Sequence, residues 1–255
     1  MTTIRFRQLT KAYGDTLAVD HLEAVVAPGK VTAFLGQNGS GKTTTMRILV
    51  GLARATSGSA SFDGTTYRDL EHPARRVGVA LDPDAFHPRR TARNHLRVTA
   101  GGSDIPMARA DIVLDQVGLT EAAARQVRGF SLGMRQRLAL ATALLGDPDV
   151  LVLDEPLNGL DPAGIHWMRD VLGRFAAAGG TVLLSSHLLA EIAIVADDAI
   201  VIERGRLVAA GSVSSIFDPA CDLETAFLSL VAGAQTARAR TFAPAPITTA
   251  HWSLA

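Results

Sequence analysis

The feature that most constrains this chain is a glycine-rich stretch at residues 36–43, which contains the complete phosphate-binding pattern G-x-x-x-x-G-K-[ST]. An apolar run at residues 31–35 precedes it and a helix-forming segment at residues 44–50 follows it. The glycines allow successive backbone N–H groups to point into one concavity, and the start of the helix adds its positive end there. The stretch therefore predicts a strand, a loop that binds the phosphates of a nucleoside triphosphate, and a helix.

Two side chains of this loop have distinct expected roles. Lys42 can reach the β- and γ-phosphates as a point charge, while the hydroxyl of Thr43 is placed to ligate a bridging Mg²⁺. We predict a nucleoside triphosphate and Mg²⁺ as the ligands of this loop. The residues predicted to bind the triphosphate here are Gly36, Gln37, Asn38, Gly39, Ser40, Gly41, Lys42, Thr43 and Thr44.

Composition narrows the class of protein. The chain has 255 residues, 47% of them hydrophobic, which suffices for one large domain or a domain with an inserted subdomain. Its 25 basic residues balance 25 acidic ones, so nucleic acid is not the expected partner. The single cysteine, Cys221, argues against a disulfide framework or a cysteine metal cluster. No apolar stretch reaches the roughly 20 residues that span a bilayer, and no hydrophobic signal region is visible, so we expect a cytoplasmic protein.

Hydrophobic periodicity predicts the order of elements. Alternation at residues 4–9 and 22–26 indicates antiparallel strands at the N-terminus, and residues 56–64 read as a strand closed by an Asp-Gly turn. Further strands are predicted at residues 76–81, 150–153, 181–184 and 199–202, and helices at residues 92–100, 107–117, 121–127 and 132–145. Strands that alternate with helices predict an α/β fold with a parallel sheet, whose ligands bind beyond the carboxyl ends of the strands.

Polar residues follow two of these strands. Asp154 comes directly after the buried strand, where a carboxylate is expected to hold Mg²⁺, and the adjacent Glu155 is a candidate base for the attacking water. Adjacent acids are also common in surface turns, but this position downstream of a phosphate loop favours the catalytic interpretation. His187 follows Ser185 and Ser186 and is placed to hydrogen-bond a γ-phosphate; the alternative is a histidine in the first turn of a helix capped by one of the serines.

A further stretch, residues 130–137 (F-S-L-G-M-R-Q-R), is predicted to begin a helix with Ser131 as N-cap. Taken alone, it is no more than a capped helix. Together with the preceding motifs, it resembles the nucleotide-binding subunit of ATP-binding cassette (ABC) transporters, whose signature at this point is Leu-Ser-Gly-Gly-Gln. Ser131 and Gly133 match that signature, whereas Leu132 and Met134 replace a glycine and the glutamine. The resemblance extends over about residues 2–215.

The resemblance implies a P-loop nucleotidase (RecA-like) core with an N-terminal antiparallel β subdomain and a helical subdomain inserted at about residues 83–146. The ABC ATPase domain would comprise residues 1–232. By the same resemblance, Tyr13 would stack on the base, although a surface or partly buried tyrosine is the alternative. The implied nucleotide is ATP. The other implied roles are ATP contact by Asp161 of the D-loop (residues 158–161), catalysis by Glu155 and His187, metal binding by Thr43, Asp154 and Asp82, and binding of a second copy's ATP by Ser131 and Gly133.

One expected residue is missing. The strand that leads to the family's Q-loop glutamine is followed here by Asp82, the best match, with Asp84 as the next candidate. An aspartate can bind Mg²⁺ or its water, but it is shorter than glutamine and negatively charged. With an aspartate at this position, followed by the helix that contains residues 93–96, the chain resembles the drug-resistance and bacteriocin-immunity branch of ABC exporters.

The implied function is ATP hydrolysis that energises export of an unknown drug, antibiotic or peptide. Two subunits would pair head to tail on the inner face of the cell membrane, each attached to an integral membrane permease. The alternatives are a soluble ABC ATPase that acts on ribosomes or DNA and an ATP-gated regulatory module. Near the C-terminus, residues 223–230 predict a short helix, and residues 233–255 predict a disordered tail. Trp252 in that tail is either a membrane or partner anchor or an idle exposed residue.

Overall fold

The computed structural model describes residues 1–82, 85–187, 189–217 and 223–241. Within this part of the chain, the strands are β1 Ile4–Tyr13, β2 Thr16–Val26, β3 Val31–Leu35, β4 Ser57–Phe62, β5 Val77–Ala80, β6 Val150–Leu153, β7 Thr181–Ser186, β8 Asp198–Glu203 and β9 Arg206–Ser212. The helices are α1 Lys42–Leu49, α2 Pro73–Arg76, α3 Ala92–Gly101, α4 Arg109–Gln116, α5 Leu132–Leu144, α6 Pro162–Ala177, α7 Leu189–Val195, α8 Val213–Ile216 and α9 Leu223–Thr241. This is the α/β architecture that the sequence predicts.

A small antiparallel sheet is built from the N-terminal strands in the order β2-β1-β4. Ile4 lies opposite both Val26 and Phe62, so β1 is the central strand. The predicted Asp-Gly turn after β4 is present, with φ of 49° at Asp63 and 88° at Gly64, as a tight hairpin turn requires. The antiparallel N-terminal strands are thus confirmed, and β1 and β2 are both longer than the alternation alone indicates.

The larger sheet has the order β5-β6-β7-β3-β8-β9. Pairing is parallel from β5 to β8, and β9 is joined to β8 in the antiparallel direction. Every residue of β3, β6 and β7 is buried, because helices or the small sheet cover both faces. Strand β9 was not predicted, since its residues are small and mostly half-buried and form no apolar alternation.

Helices α3, α4 and α5 follow β5 and precede β6 in the chain, as expected for an inserted helical subdomain. The helix predicted at residues 121–127 is wrong, because this segment is made of turns followed by a 3₁₀ turn at Val127–Gly129. Its carbonyls bond elsewhere: Arg125 O accepts from the N–H of Ala92 and Ala123 O accepts from that of Arg93. Backbone groups used in this way cannot form the i to i+4 ladder of a helix.

The C-terminal helix is longer than expected. Helix α9 covers the predicted segment and continues to Thr241, through the first residues of the stretch for which the sequence predicts disorder. Phe227 and Val231, four residues apart, are buried against the body of the protein. The predictions for Asp84, Cys221 and Trp252 fall outside the described residues. In the part that is described, no helix combines the length and the apolar character needed to cross a membrane.

The core lies on both faces of the larger sheet and fixes where β3 ends. On one face, Phe34 packs with Met46 and Leu49 of α1 and its ring stacks on that of Phe6 at 6.2 Å between centroids. On the other face, Leu35 belongs to a cluster with apolar side chains of the helical subdomain and of α6. Because β3 lies between β7 and β8, the loop that follows it emerges at the centre of the sheet edge, beside the ends of β6 and β7.

Candidate functional site

The phosphate loop, residues 36–43, connects β3 to α1 and is tightly packed against its neighbours. Gly41 has a φ of 106°, and a Cβ placed there would lie 2.3 Å from the carbonyl oxygen of Ala18 in β2. Only glycine fits this position, on grounds of both conformation and space. The loop thus turns directly into α1, whose N-cap is Gly41 and whose first N–H groups have no side-chain cap.

Lys42 lies inside the loop rather than in solvent. Its side chain is buried, and Nζ donates hydrogen bonds to the carbonyl oxygens of Gly36 at 2.6 Å and Gln37 at 3.2 Å. Burial lowers the pKa of this ammonium, while the negative charges of Glu155 and Asp154 act in the opposite direction. The loop therefore holds a buried cation among its own carbonyl oxygens, and the contact of Lys42 with phosphate stays a prediction.

Two of the three predicted magnesium ligands, Thr43 and Asp154, are in direct contact. Thr43 Oγ1 donates to Asp154 Oδ2 at 2.8 Å, and Ser185 Oγ donates to the other carboxylate oxygen of Asp154. Hydroxyl and carboxylate oxygens suit Mg²⁺. No group of three or more His, Cys, Asp or Glu side chains among the described residues is placed to hold a metal ion.

Glu155 has a constrained backbone next to these ligands. Its φ is 50°, unusual for a residue with a side chain, and its N–H donates to Ser185 Oγ at 2.9 Å. Its carboxylate oxygen Oε2 lies 2.8 Å from Nδ1 of His187. Non-glycine residues in this conformation persist only where surrounding contacts hold them, and they are often found at active sites. The structure thus brings the predicted base and the predicted histidine together.

The alternative explanation of His187 is not what the structure shows. Ser185 and Ser186 are the last residues of β7 and are buried, and α7 begins only at Leu189. Neither serine is therefore an N-cap, and His187 precedes the helix.

The role of Ser185, which bridges Asp154 and the backbone of Glu155, was missed by sequence reasoning. Its position at the end of a buried strand, one residue from a second serine, was the available signal.

The signature stretch begins α5 as predicted, with Ser131 as N-cap. Ser131 Oγ accepts a hydrogen bond from the N–H of Met134 at 3.3 Å. Leu132 lies against the D-loop of the same chain, and Gly133 lies near Leu160. Among the described residues, neither Ser131 nor Gly133 forms a hydrogen bond with the phosphate loop.

Three other predicted residues are less closely tied to this site. Asp161 caps α6 through a 2.7 Å hydrogen bond from the N–H of Gly164 to Oδ1, so its carboxylate has a structural partner. Tyr13, at the end of β1, is about half exposed, with Lys11 Nζ 4.7 Å from the centre of its ring. Asp82 is exposed and follows β5. Two residues before it, the carbonyl oxygen of Ala80 accepts a hydrogen bond from the N–H of Asp154, which places the end of β5 beside the metal ligand. Their contacts with ATP or metal stay predictions.

A cavity of about 250 Å³ opens between the phosphate loop, the end of β7 and α9. It is lined by Gly36, Gln37, Asn38, Ser186, His187, Leu189, Glu224, Phe227 and Leu228. The predicted histidine and phosphate-loop residues, far apart in sequence, thus face one space. Sequence reasoning missed that α9 lines this cavity. The apolar spacing within α9 predicts a helix, but it does not show which part of the protein that helix packs against.

Comparison with known proteins agrees with this geometry. A family model described as "ABC transporter" matches residues 19–158. The bacitracin transport ATP-binding protein BcrA of Bacillus licheniformis is 42% identical over 209 residues, which cover 81% of this chain and 68% of that protein. The lantibiotic transport ATP-binding protein SrtF of Streptococcus pyogenes is 36% identical over 207 residues, or 80% of this chain and 89% of that protein.

Solved structures show the same fold. One described as the ATP-binding subunit of an ABC transporter superimposes with a TM-score of 0.79 at 26% identity, and covers 89% of this chain and 98% of that one. The cbiO1 protein of Clostridium perfringens, described as part of an ABC transporter complex, gives a TM-score of 0.74 at 26% identity, over 85% and 90% of the two chains. The chain therefore belongs to the ABC transporter family, as one of its ATP-binding subunits, which are ATPases coupled to transport.

Proposed function

We propose that this chain binds ATP with Mg²⁺ and uses its hydrolysis to drive export of an antibiotic, drug or peptide through a separate membrane permease. The observation that carries this proposal is the contact of the Glu155 carboxylate with His187, beside the linked pair of Thr43 and Asp154. The names of the relatives support the substrate class, since they refer to bacitracin transport, lantibiotic transport and, in Burkholderia orbicola, Nod factor export.

Each residue of the sheet edge has one task in this mechanism. Lys42 neutralises charge on the β- and γ-phosphates, and the Glu155 carboxylate accepts a proton from the attacking water. His187 is hydrogen-bonded to that carboxylate and fixes its direction. Thr43 and Asp154 would hold Mg²⁺, with Asp82 as a further contact to the ion or its water. Bound Mg²⁺ supplies positive charge against the phosphate oxygens.

We infer that two copies pair head to tail around two ATP molecules. In this arrangement Ser131 and Gly133 of one copy bind the γ-phosphate held by the phosphate loop of the other. A helix N-terminus with free N–H groups and a serine hydroxyl suits an anion. Because only the triphosphate reaches both halves, ATP closes the pair and hydrolysis opens it.

The permease would receive this motion through the helical subdomain and the cleft near residues 82–88. We propose that the chain lies on the inner face of the cell membrane in complex with that permease. The support is the class of its relatives, which are named as ATP-binding proteins of transport systems. Co-purification of the chain with a polytopic membrane protein tests this part of the proposal. A chain recovered from the soluble fraction without such a partner would favour a soluble ABC ATPase.

Steady-state phosphate release tests the hydrolytic part. Purified protein is compared with Glu155→Gln, which preserves shape but removes the base. General-base catalysis contributes about 100-fold to 10,000-fold, so turnover should fall by that order while ATP affinity is retained. Equal turnover in the two proteins would contradict the assignment of Glu155. ATP binding with no turnover in the wild type would favour an ATP-gated regulatory module instead.

A further inference from the structure

Helix α5 contacts the D-loop of its own chain through a residue that departs from the family signature. A Cβ at Gly159 would lie 2.0 Å from Leu132 Cδ2 and 2.9 Å from its Cγ. Gly159 has a φ of +72° and no side chain, and the position where its Cβ would lie faces Leu132. Leu132 therefore occupies the space that a side chain at position 159 would need. The first turn of α5 is seated on the D-loop.

A second contact lies one helical turn further along the same face. Gln136 is buried, and its Nε2 donates to the carbonyl oxygens of Glu155 at 3.4 Å and Asn158 at 3.3 Å. The N–H of Asn158 also donates to Glu155 O at 3.2 Å, so these carbonyls belong to one turn. Gln136 thus joins α5 to both ends of the turn that begins with the proposed catalytic base.

We propose that Leu132 and Gln136, named here the α5 latch, couple the two ATP sites of the closed dimer. The inference rests on the proposed function, because it needs a second copy whose γ-phosphate meets Ser131 and Gly133. A helix moves as a rigid unit over one turn. A shift of the α5 start toward the partner's ATP must therefore displace the backbone from Glu155 to Gly159 of its own chain. The base of one site then responds to nucleotide in the other.

The backbone of Glu155, which Gln136 contacts, is suited to this response. Glu155 has its unusual φ of 50° and is held on the opposite side by Ser185, which accepts its N–H. Its side chain is held by His187. Glu155 is thus held through its N–H by Ser185 of β7, through its carboxylate by His187 and through its carbonyl oxygen by Gln136 of α5. Removal of the Gln136 donor takes away the link between Glu155 and α5. Gln136 is a positioning residue, since it acts on the base through the peptide backbone.

The first variant is Gln136→Met, which keeps length and burial but removes the two N–H donors. The latch predicts that kcat falls at least about tenfold, that the affinity of a single chain for ATP is unchanged, and that the Hill coefficient for hydrolysis falls from near two to about one. If Gln136 were needed only for folding, its replacement would lower kcat and single-chain ATP affinity together. Gln116→Met makes the same change at an exposed position of α4 and should leave all three unchanged.

The second variant distinguishes two explanations of Leu132. If the leucine merely obstructs phosphate binding, Leu132→Gly restores the family residue and should raise the rate. The latch predicts the opposite, a lower kcat and a lower Hill coefficient, because the contact with Gly159 is lost. Leu132→Ala removes the same contact without lowering helix propensity, so it should behave like the glycine variant.

These measurements separate failure of the latch from failure of the proposed function. Glu155→Gln protein that shows no ATP-dependent dimer would overturn the proposed function itself. Glu155→Gln protein that dimerises, while Gln136→Met and Leu132→Ala keep the wild-type kcat and Hill coefficient, would overturn the latch alone. A dimer without cooperativity in the wild type would do the same. Thermal unfolding of each variant checks the fold, and Leu132→Ala decides the outcome if Gln136→Met is unfolded.

Discussion

The edge of the large sheet and the start of α5 provide two very different halves of a nucleotide site. At the sheet edge, the functional side chains already bond one another: Thr43 to Asp154, and Glu155 to His187. At the start of α5, the hydroxyl of Ser131 caps its own helix and bonds none of these residues. The first half is organised within one chain, whereas the second offers N–H groups and a hydroxyl to a ligand held elsewhere.

Their electrostatics differ in the same way. The sheet edge contains a buried cation, Lys42, whose pKa is lowered by burial, near the two carboxylates of Asp154 and Glu155. The start of α5 has no acidic residue in its first turn, and in the proposed dimer it would bind phosphate through the positive end of the helix. Substitutions at the sheet edge should therefore change how one chain binds ATP, whereas substitutions at the helix start should leave ATP binding by the single chain unchanged.

The largest expected effect on binding is at the sheet edge. Lys42→Ala removes the cation aimed at the β- and γ-phosphates, so ATP affinity should fall at least about tenfold. Titration with a fluorescent ATP analogue measures it. Lys30→Ala, which removes an exposed lysine paired with Asp198, is the matched control and should leave affinity unchanged. Equal affinities for wild type and Lys42→Ala would refute the assignment of the phosphate loop.

A smaller effect is expected at the residue that links the two acids. Ser185→Ala removes the hydroxyl that donates to Asp154 and accepts from the N–H of Glu155, so the Mg²⁺ ligand and the base both lose a fixed partner. We expect kcat to fall by about tenfold, and half-saturation to move to higher Mg²⁺ concentration. Phosphate release measured against Mg²⁺ concentration gives both numbers. Curves that superimpose on wild type would show that Ser185 has no part in the site.

The helix start should respond through stability instead. Ser131→Ala removes the N-cap of α5 and should lower the free energy of unfolding by about 1 kcal/mol. ATP affinity of the single chain should not change, because no hydrogen bond joins Ser131 to the phosphate loop in the described structure. Urea unfolding and nucleotide titration of the same preparation test both statements. A loss of single-chain affinity would contradict the division between the two halves.

The smallest effect concerns pH and the helical subdomain. His95 in α3 is buried, its Nε2 lies 3.2 Å from Thr142 Oγ1, and burial, assisted by the charge of Arg90, lowers its pKa. As the pH falls, the His95 side chain is therefore protonated in the unfolded chain before it is protonated in the folded protein. Stability is therefore fully present above pH about 6.5 and is lost as pH falls through the folded pKa. Urea unfolding at several pH values should show this fall in wild type and a weaker one in His95→Leu.

Local patterns in the sequence predicted the sheet edge well. The phosphate loop, the four-residue strand before Asp154 and the strand before His187 are each recognisable on their own, and parallel strands end at one edge. Sequence reasoning failed where distant backbone decides the outcome. The helix predicted at residues 121–127 is absent because residues 92 and 93 take its carbonyls. Strand β9 exists because β8 offers it an edge, which no property of its own residues reveals.

The departures from the family signature show a similar limit. Leu132 is unexplained in the sequence, where it only replaces a glycine, and its contact with Gly159 appears once the D-loop is placed beside α5. Gln136 likewise reads as one polar residue in a helix until its donors are seen on the carbonyls of Glu155 and Asn158. Both contacts join segments that lie more than a helix apart in the chain, so no local pattern encodes them.

The claim that one complete site needs two chains is tested most directly by light scattering of Glu155→Gln with ATP and with ADP. This variant lacks the base and should hold the closed state, so ATP should convert it from monomer to dimer and ADP should not. Addition of Ser131→Arg to the same chain fills the receiving surface and should abolish the dimer while ATP still binds. A double variant that dimerises with ATP as readily as Glu155→Gln would contradict the head-to-tail arrangement.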